Sequence, residues 1–408
     1  MNTLINEIID KCKKKYNENP LYHDIGDIIP FINFYEAGKD FSRKQIEQTV
    51  DKINDIWLYK RNENFIFLSD QIDLILGFIE YYRQTKESRI LRYFEKIMKS
   101  ISTYFIINNK IYGVYDLRKK SVNKNVSYYG AVIIEYFVDL YEFTLDEKAL
   151  AIATKLSLQI VSNKYFKKYG LLGDYNNFKY LIRNFRTNIW NKQVSKSTNF
   201  IIGIIAVYEK YNNEILYESL DNYFNLLNKD LMKDGLFLSG NNLKNGKIVK
   251  TNLFTSFEAI DMLCYMFFVT KNIKFLEYAK NIANPWIENQ PDSGVFPYYF
   301  DENISWLDAD VDFSISLLRI YELSGDNKYK IAADKCYSGL VKHNLPYSSI
   351  NVKTKERVKN LNYGSIHDPD MYLADEKYLA LFLKLPIYFS SDKRIYEVDG
   401  LFKLLRDR

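Results

Sequence analysis

Six strongly apolar helical segments recur along this chain, and a long repeat of that kind limits the fold more than any other feature of the sequence. They open near Asp70, Tyr128, Thr198, Ser256, Asp310 and Ala374, so successive starts lie 54 to 70 residues apart. Segments such as 128–143 (YYGAVIIEYFVDLYEF) and 256–270 (SFEAIDMLCYMFFVT) are apolar on nearly every side, the pattern of helices buried all round. Between them lie six segments of a second kind, at 41–58, 88–105, 146–163, 213–229, 273–288 and 327–342, with apolar residues spaced by three and four and a charged opposite face. In the last, Tyr329, Ala332, Ala333, Cys336, Tyr337, Leu340 and Val341 share one stripe. A spacing above the ~20–50 residues of common repeats leaves room in each unit for a helical hairpin and a sizeable loop. The alternation predicts an all-α fold, an (α/α)₆ toroid over residues 41–408, with a short N-terminal helical extension over 1–40 packed on it.

The bulk properties are consistent with such a fold and exclude several others. With 408 residues and 47% hydrophobic content the chain can bury a large core. Its net charge of +5 comes from 56 basic and 51 acidic residues that are interspersed, whereas nucleic-acid binding calls for a concentrated basic face. The run Lys13-Lys14-Lys15 reads as the solvated side of a short amphipathic helix. Cys12, Cys264 and Cys336 each fall inside a helical pattern far from one another, which predicts buried, reduced thiols. The N-terminal segment carries Glu7 where a signal peptide needs an unbroken apolar stretch, and the best apolar run, 200–207, is too short to span a bilayer. A cytoplasmic location without a membrane span is the expectation; the sequence does not reveal the oligomeric state.

Loop lengths give the ring two unlike ends. Connections from a buried helix to the next amphipathic one are short, such as Ser324-Gly325-Asp326, where Gly325 can supply a left-handed helix stop. Connections in the other sense (106–127, 164–197, 231–255, 289–309, 343–371) run to about 20–35 residues, far above the usual ~4–6, and loops of that length tend to carry function. They converge where the buried helices begin, at the positive poles of the helix dipoles, an end that favours carboxylates and anionic ligands.

The 310–340 stretch, DVDFSISLLRIYELSGDNKYKIAADKCYSGL, resembles the six-hairpin carbohydrate-active enzymes: the unsaturated glucuronyl and rhamnogalacturonyl hydrolases and the N-acylglucosamine 2-epimerase group. Similar too are the segments ending the amphipathic helices: Gly113-Val114-Tyr115-Asp116, Gly170-Leu171-Leu172-Gly173-Asp174-Tyr175, Asp234-Gly235-Leu236-Phe237 and Gly294-Val295-Phe296-Pro297-Tyr298. The resemblance is architectural, covers most of the chain from about Phe41, and implies the toroid fold and activity on a carbohydrate. The epimerases it implies rely on catalytic histidines. Here there are three, His23, His343 and His367; His23 precedes the toroid and His343 follows an amphipathic helix, so a two-histidine mechanism is disfavoured. The uronyl hydrolases use aspartates presented by loops that lead into buried helices.

Aspartates of that kind abound. Trp306-Leu307-Asp308-Ala309-Asp310-Val311-Asp312 places three carboxylates within five residues at the mouth of the fifth buried helix, where mutual repulsion can raise one pKa towards that of a general acid. The alternative is structural: Asp308 or Asp310 caps the helix and Asp312 complements its dipole. Gly364-Ser365-Ile366-His367-Asp368-Pro369-Asp370 precedes the last buried helix and offers Asp370 and His367, although Asp-Pro is also a common turn pair. Glu258, near the start of the fourth buried helix, is a further acid or base. Candidate substrate contacts are Asp174, Arg186 and Trp190 in the longest loop, with Arg183 nearby, and the aromatic residues Tyr298 and Trp306.

The Asp-x-Asp-x-Asp run lacks the glycine and terminal glutamate of an EF-hand, and the aromatic repeats of class II terpene cyclases are missing. No Walker A loop or dinucleotide fingerprint occurs, so neither metal nor cofactor is expected. The favoured expectation is a glycoside hydrolase acting on an oligosaccharide, uronate-containing ones included, with one of Asp308, Asp310 and Asp312 as acid. A second carboxylate among Asp370, Asp174 and Glu258 would activate water, at ~6.5–9.5 Å for inversion or ~5–5.5 Å for retention. A polysaccharide lyase, a sugar or uronyl epimerase, and a non-catalytic glycan- or protein-binding toroid are the alternatives.

Overall fold

The structure is a computed structural model that describes the chain apart from residues 1, 19–28, 30, 52, 61–62, 124–131, 172–190, 195–197, 361–369 and 396–408. In chain order the helices are α1 (Asn2–Glu18), α2 (Glu36–Val50), α3 (Leu68–Thr85), α4 (Ser88–Tyr104) and α5 (Val132–Thr144). They continue with α6 (Glu147–Val161), α7 (Lys164–Tyr169), α8 (Thr198–Tyr211), α9 (Glu214–Leu231) and α10 (Leu253–Thr270). The last are α11 (Ile273–Glu288), α12 (Leu307–Ser324), α13 (Asn327–Gly339), α14 (Glu376–Phe382) and α15 (Lys384–Phe389). Short antiparallel strands decorate the long connections, such as the hairpin of Ile106–Ile107 with Lys110–Ile111 and that of Met232–Lys233 with Leu236–Phe237.

Two compact units divide the chain. One comprises Pro20–Leu227 with Asn242–Asn245; there α3 packs on α4, α5 packs on α6, and α8 packs on both α5 and α6. The other comprises Met1–Asn19, Asn228–Asn241 and Gly246–Arg408; there α10 packs on α11, α12 packs on α13, and α12 lies between α10 and α14. Helix α1 lies against α14, where the Cys12 thiol donates to the Glu376 carbonyl at 3.6 Å. All three cysteines are buried and free, as their helical settings predicted.

The hairpins share a turn chemistry that explains where helices stop and restart. Thr85, Thr144, Thr270 and Ser324 each donate a hydroxyl to the carbonyl four residues back and accept the amide two residues ahead. The residue between, Lys86, Leu145, Lys271 or Gly325, adopts a left-handed conformation that ends the helix (φ 58°, 59°, 57° and 73°). In three of the four, the residue after it caps the next helix: Asp146, Asn272 and Asp326 accept the amides of Lys148, Lys274 and Lys328.

Neighbouring buried helices are tied by buried and partly buried ion pairs. In the first unit Arg83 of α3, with its side chain 3% exposed, bonds Asp139 of α5 at 2.7 Å and also pairs with Glu80. Lys210 of α8 meets Glu142 of α5 at 2.6 Å. In the second unit Arg319 of α12 pairs with Asp261 of α10 at 2.6 Å, and Ser316 donates to the same carboxylate at 2.6 Å. Lys384 of α15 reaches Asp312 of α12 at 3.1 Å.

Two sequence expectations shift. Helix α12 begins at Leu307 rather than Asp310, and its N-cap is Trp306, with no side-chain cap; neither Asp308 nor Asp310 caps it. Among the described residues the most membrane-like helix is α10 (Leu253–Thr270), not residues 200–207: by length and composition it could cross a bilayer. The polar residues Thr255, Ser256, Glu258 and Asp261 mask this in the sequence, and 61% of its apolar window is buried inside the protein, as a core helix requires.

The ion pairs carry a stability prediction. Arg83→Met strands the buried Asp139 carboxylate and should cost about 3–5 kcal/mol in urea unfolding followed by circular dichroism. Arg83→Met with Asp139→Leu should recover much of that loss; a double variant as unstable as the single one would contradict the pairing.

Candidate functional site

The mouths of α10, α12 and α14 are stitched together by backbone bonds from the long connections. Gly294 (φ 90°) lies so close to α13 that a Cβ on it would come within 2.3 Å of the Lys335 carbonyl oxygen, so only glycine fits there. Two residues on, the Phe296 amide donates to Asp310 Oδ1 at 2.7 Å. Tyr298 then donates its amide to the Ile304 carbonyl at 2.7 Å and accepts the Leu253 amide at 2.8 Å, which joins this loop to the first residue of α10. The Ser305 and Leu307 amides donate to the carbonyls of Ile350 and Ser348 (2.9 and 3.0 Å), and the Ser348 amide donates to Tyr372 at 2.8 Å. Ala374, just before α14, donates to the Pro346 carbonyl at 3.0 Å.

This framework sets Tyr298 face to face with Trp306, ring centroids 3.5 Å apart and planes within 18°, with Tyr299 edge-on to Tyr298 at 4.9 Å. The Arg357 guanidinium lies over both Tyr347 and Tyr372, 5.5 and 5.2 Å from their ring centres. Nothing in the local sequence marks Arg357, Tyr347 or Tyr372, because they converge from separate stretches of the chain.

The three aspartates of α12 have different surroundings. Asp310 has no exposed surface; besides the Phe296 amide it receives the Cys336 thiol at 3.7 Å, and burial holds its pKa well above the usual carboxylate range. Both bonds reach Oδ1, and Oδ2 has no partner among the described residues; a carboxyl so enclosed, tied to a loop and to α13, holds structure together. Asp312, one-quarter exposed, is paired with Lys384, whose side chain is 7% exposed. Asp308 is 8% exposed, and among the described residues its Oδ1 has no hydrogen-bond partner. Its pKa is pushed up to about 7, first by burial and then by the Asp312 charge; the amides of Ala309 and Asp308 and the Lys377 ammonium oppose the shift. The positive end of α12 favours the anion here, and burial outweighs it.

The remaining candidates divide by position. Glu258 lies half-buried in the second turn of α10. Asp370 is exposed, in a turn ahead of α14. Asp174, Arg183, Arg186, Trp190, His367 and His23 lie outside the described residues. His343 is half-buried in the π-helical turn Leu340–Asn344, where burial, Lys342 and Lys355 lower its pKa. Lys377 and Lys384 were also missed; a lysine within the apolar run LFLKLP was the one available signal for Lys384. A groove of about 630 Å³ lined by Tyr321, Glu322, Lys330, Tyr388 and Arg394 lies at the other end of α12, ~20 Å along the helix from Asp308. No group of three or more metal-ligating side chains occurs among the described residues.

No protein-family model matches the chain, and no curated protein matches it. Solved structures do. Cellobiose 2-epimerase from Bacillus thermoamylovorans superposes with a TM-score of 0.60 at 14% identity, over 94% of this chain and 100% of that one. The (α/α)₆ toroid is the fold of this chain. A D-mannose isomerase matches with a TM-score of 0.57 at 11% identity (88% and 97% covered). An unsaturated glucuronyl hydrolase specific for heparin matches at 0.51 and 12% identity (87% and 99% covered).

The setting of Asp308 predicts how stability varies with pH. The folded state holds this proton up to about pH 7, whereas the unfolded carboxyl releases it near 3.8. Between those values the folded state binds the extra proton, so its contribution to stability falls as pH rises and is least above 7. Asp308→Asn removes the penalty and should stabilise the protein at pH 8 by up to about 4 kcal/mol, with the gain vanishing near pH 4. Thermal unfolding of both proteins across this range checks it; a gain independent of pH would contradict the assignment.

Proposed function

We propose that this protein is a carbohydrate-active enzyme, a glycoside hydrolase whose general acid is Asp308. The observation that carries the proposal is the Asp308 carboxyl: nearly buried, unpartnered at Oδ1 among the described residues, and holding its proton near neutrality. A group with a pKa close to working pH can both hold and give up a proton, as protonation of a leaving glycosidic oxygen requires. At the same helix mouth the half-buried Trp306, backed by the buried Tyr298 stacked on it, supplies flat apolar surface of the kind that packs on a sugar ring. The likeness to carbohydrate-processing enzymes supports the substrate class, at the level of fold.

Glu258 is the proposed partner that activates water. It stands on α10, which packs against α12, and Tyr298 joins the starts of the two helices. In this scheme Asp308 donates its proton as the bond to the anomeric carbon breaks, and Glu258 takes a proton from the attacking water. Asp308 is left as a carboxylate and is reprotonated before the next turnover.

Screening the purified protein against neutral and uronate-containing oligosaccharides, with products analysed by chromatography, tests the proposal. Cleavage that Asp308→Asn lowers by about 10²–10⁴-fold, with Glu258→Gln also impaired, is the expected result. Isomerised substrate of unchanged mass would replace hydrolysis by epimerisation, and unchanged cleavage in Asp308→Asn would remove this residue as the acid.

A further inference from the structure

Asp312 and Lys384 have no task in the proposed reaction, although the protein buries a lysine to hold that aspartate. Lys384 is the first residue of α15, within an apolar run, and is 6% exposed, so its ammonium needs an anionic partner, and Asp312 Oδ1 is 3.1 Å away. The pairing keeps Asp312 ionised and fixes its position. Asp312 follows Asp308 by one helical turn, so the two side chains share a face of α12 at the ~5–6 Å spacing of such pairs. Asp310, between them, points about 200° around the helix, towards Phe296 and Cys336. With little water at Asp308, the Asp312 charge acts on it with little screening.

We propose that Asp312, anchored by Lys384, is a positioning residue that keeps the Asp308 carboxyl protonated for catalysis, a role that rests on the general-acid reading of Asp308. The charged and titratable groups facing Asp308 fit this account. On its own helix Asp312 repels its anion, whereas the deeply buried Asp310 holds its own proton and adds no charge. From α14, Lys377 favours the anion. From α15, Lys384 is engaged with Asp312. Removing the Asp312 charge therefore leaves Lys377 less opposed, and Asp308 should lose its proton at lower pH. Restoring a carboxylate with one more methylene should bring the proton back.

Infrared titration of the protonated carboxyl band in the substrate-free protein tests this, with the band assigned by its loss in Asp308→Asn. In Asp312→Asn the midpoint should fall by about one pH unit, and Asp312→Glu should return it towards the wild-type value. Circular dichroism and thermal unfolding establish that each variant folds. On whichever oligosaccharide the enzyme cleaves, the alkaline limb of kcat/KM should move by the same amount, with KM little changed. A midpoint unmoved in Asp312→Asn overturns the proposal. A midpoint that moves while the pH–rate profile stays fixed upholds the coupling and instead overturns Asp308 as the acid.

Discussion

The Phe296 amide donates to a carboxyl that no water reaches, and Asp310 thereby holds the connection between α11 and α12 against the start of α12. A polar group this deep is costly unless it is bonded, so the loop and the carboxyl each supply what the other lacks. Gly294 permits the approach by letting the loop backbone touch α13 directly. Beyond that clasp Tyr298 accepts the first amide of α10 and stacks its ring on Trp306. The aromatic surface beside Asp308 is therefore set by a residue that has no part in the proposed chemistry.

Three carboxylates in five residues take three roles because of helical geometry. Residues two apart diverge by about 200° and residues four apart nearly coincide, so Asp310 faces α13 while Asp308 and Asp312 share the opposite side. Their surroundings then separate them: Asp310 bonds a backbone amide and is wholly enclosed, Asp312 pairs with a lysine, and Asp308 keeps some exposed surface and an oxygen without a partner among the described residues. Burial and one fixed neighbouring charge give that last carboxyl the proton affinity an acid catalyst needs.

Much of the fold was legible in the sequence. The apolar faces of the 198–211 and 253–270 helices, the amphipathic 273–288 and the buried thiols follow from side-chain periodicity, a local property. The hairpin turns were legible too, in Thr85-Lys86-Glu87, Thr144-Leu145-Asp146, Thr270-Lys271-Asn272 and Ser324-Gly325-Asp326, although only Gly325 stood out as a helix stop. The start of α12 came three residues early because the amide of its first residue, Leu307, is satisfied by the Ser348 carbonyl, a partner some forty residues away. The site was legible as a list of carboxylates and no further. Which one is clasped, which is paired and which is left over depends on Phe296 and Lys384; the lysine in the apolar run LFLKLP hints at a buried pair, but nothing local names its partner or the Phe296 bond.

A crystal structure of the Asp308→Asn variant with a cleavable oligosaccharide bound tests the account most directly. The account predicts a sugar ring against the Tyr298–Trp306 surface and a glycosidic oxygen within hydrogen-bond reach of the residue 308 side chain. An oligosaccharide seated elsewhere, or one whose glycosidic oxygens all lie out of reach of residue 308, would contradict it.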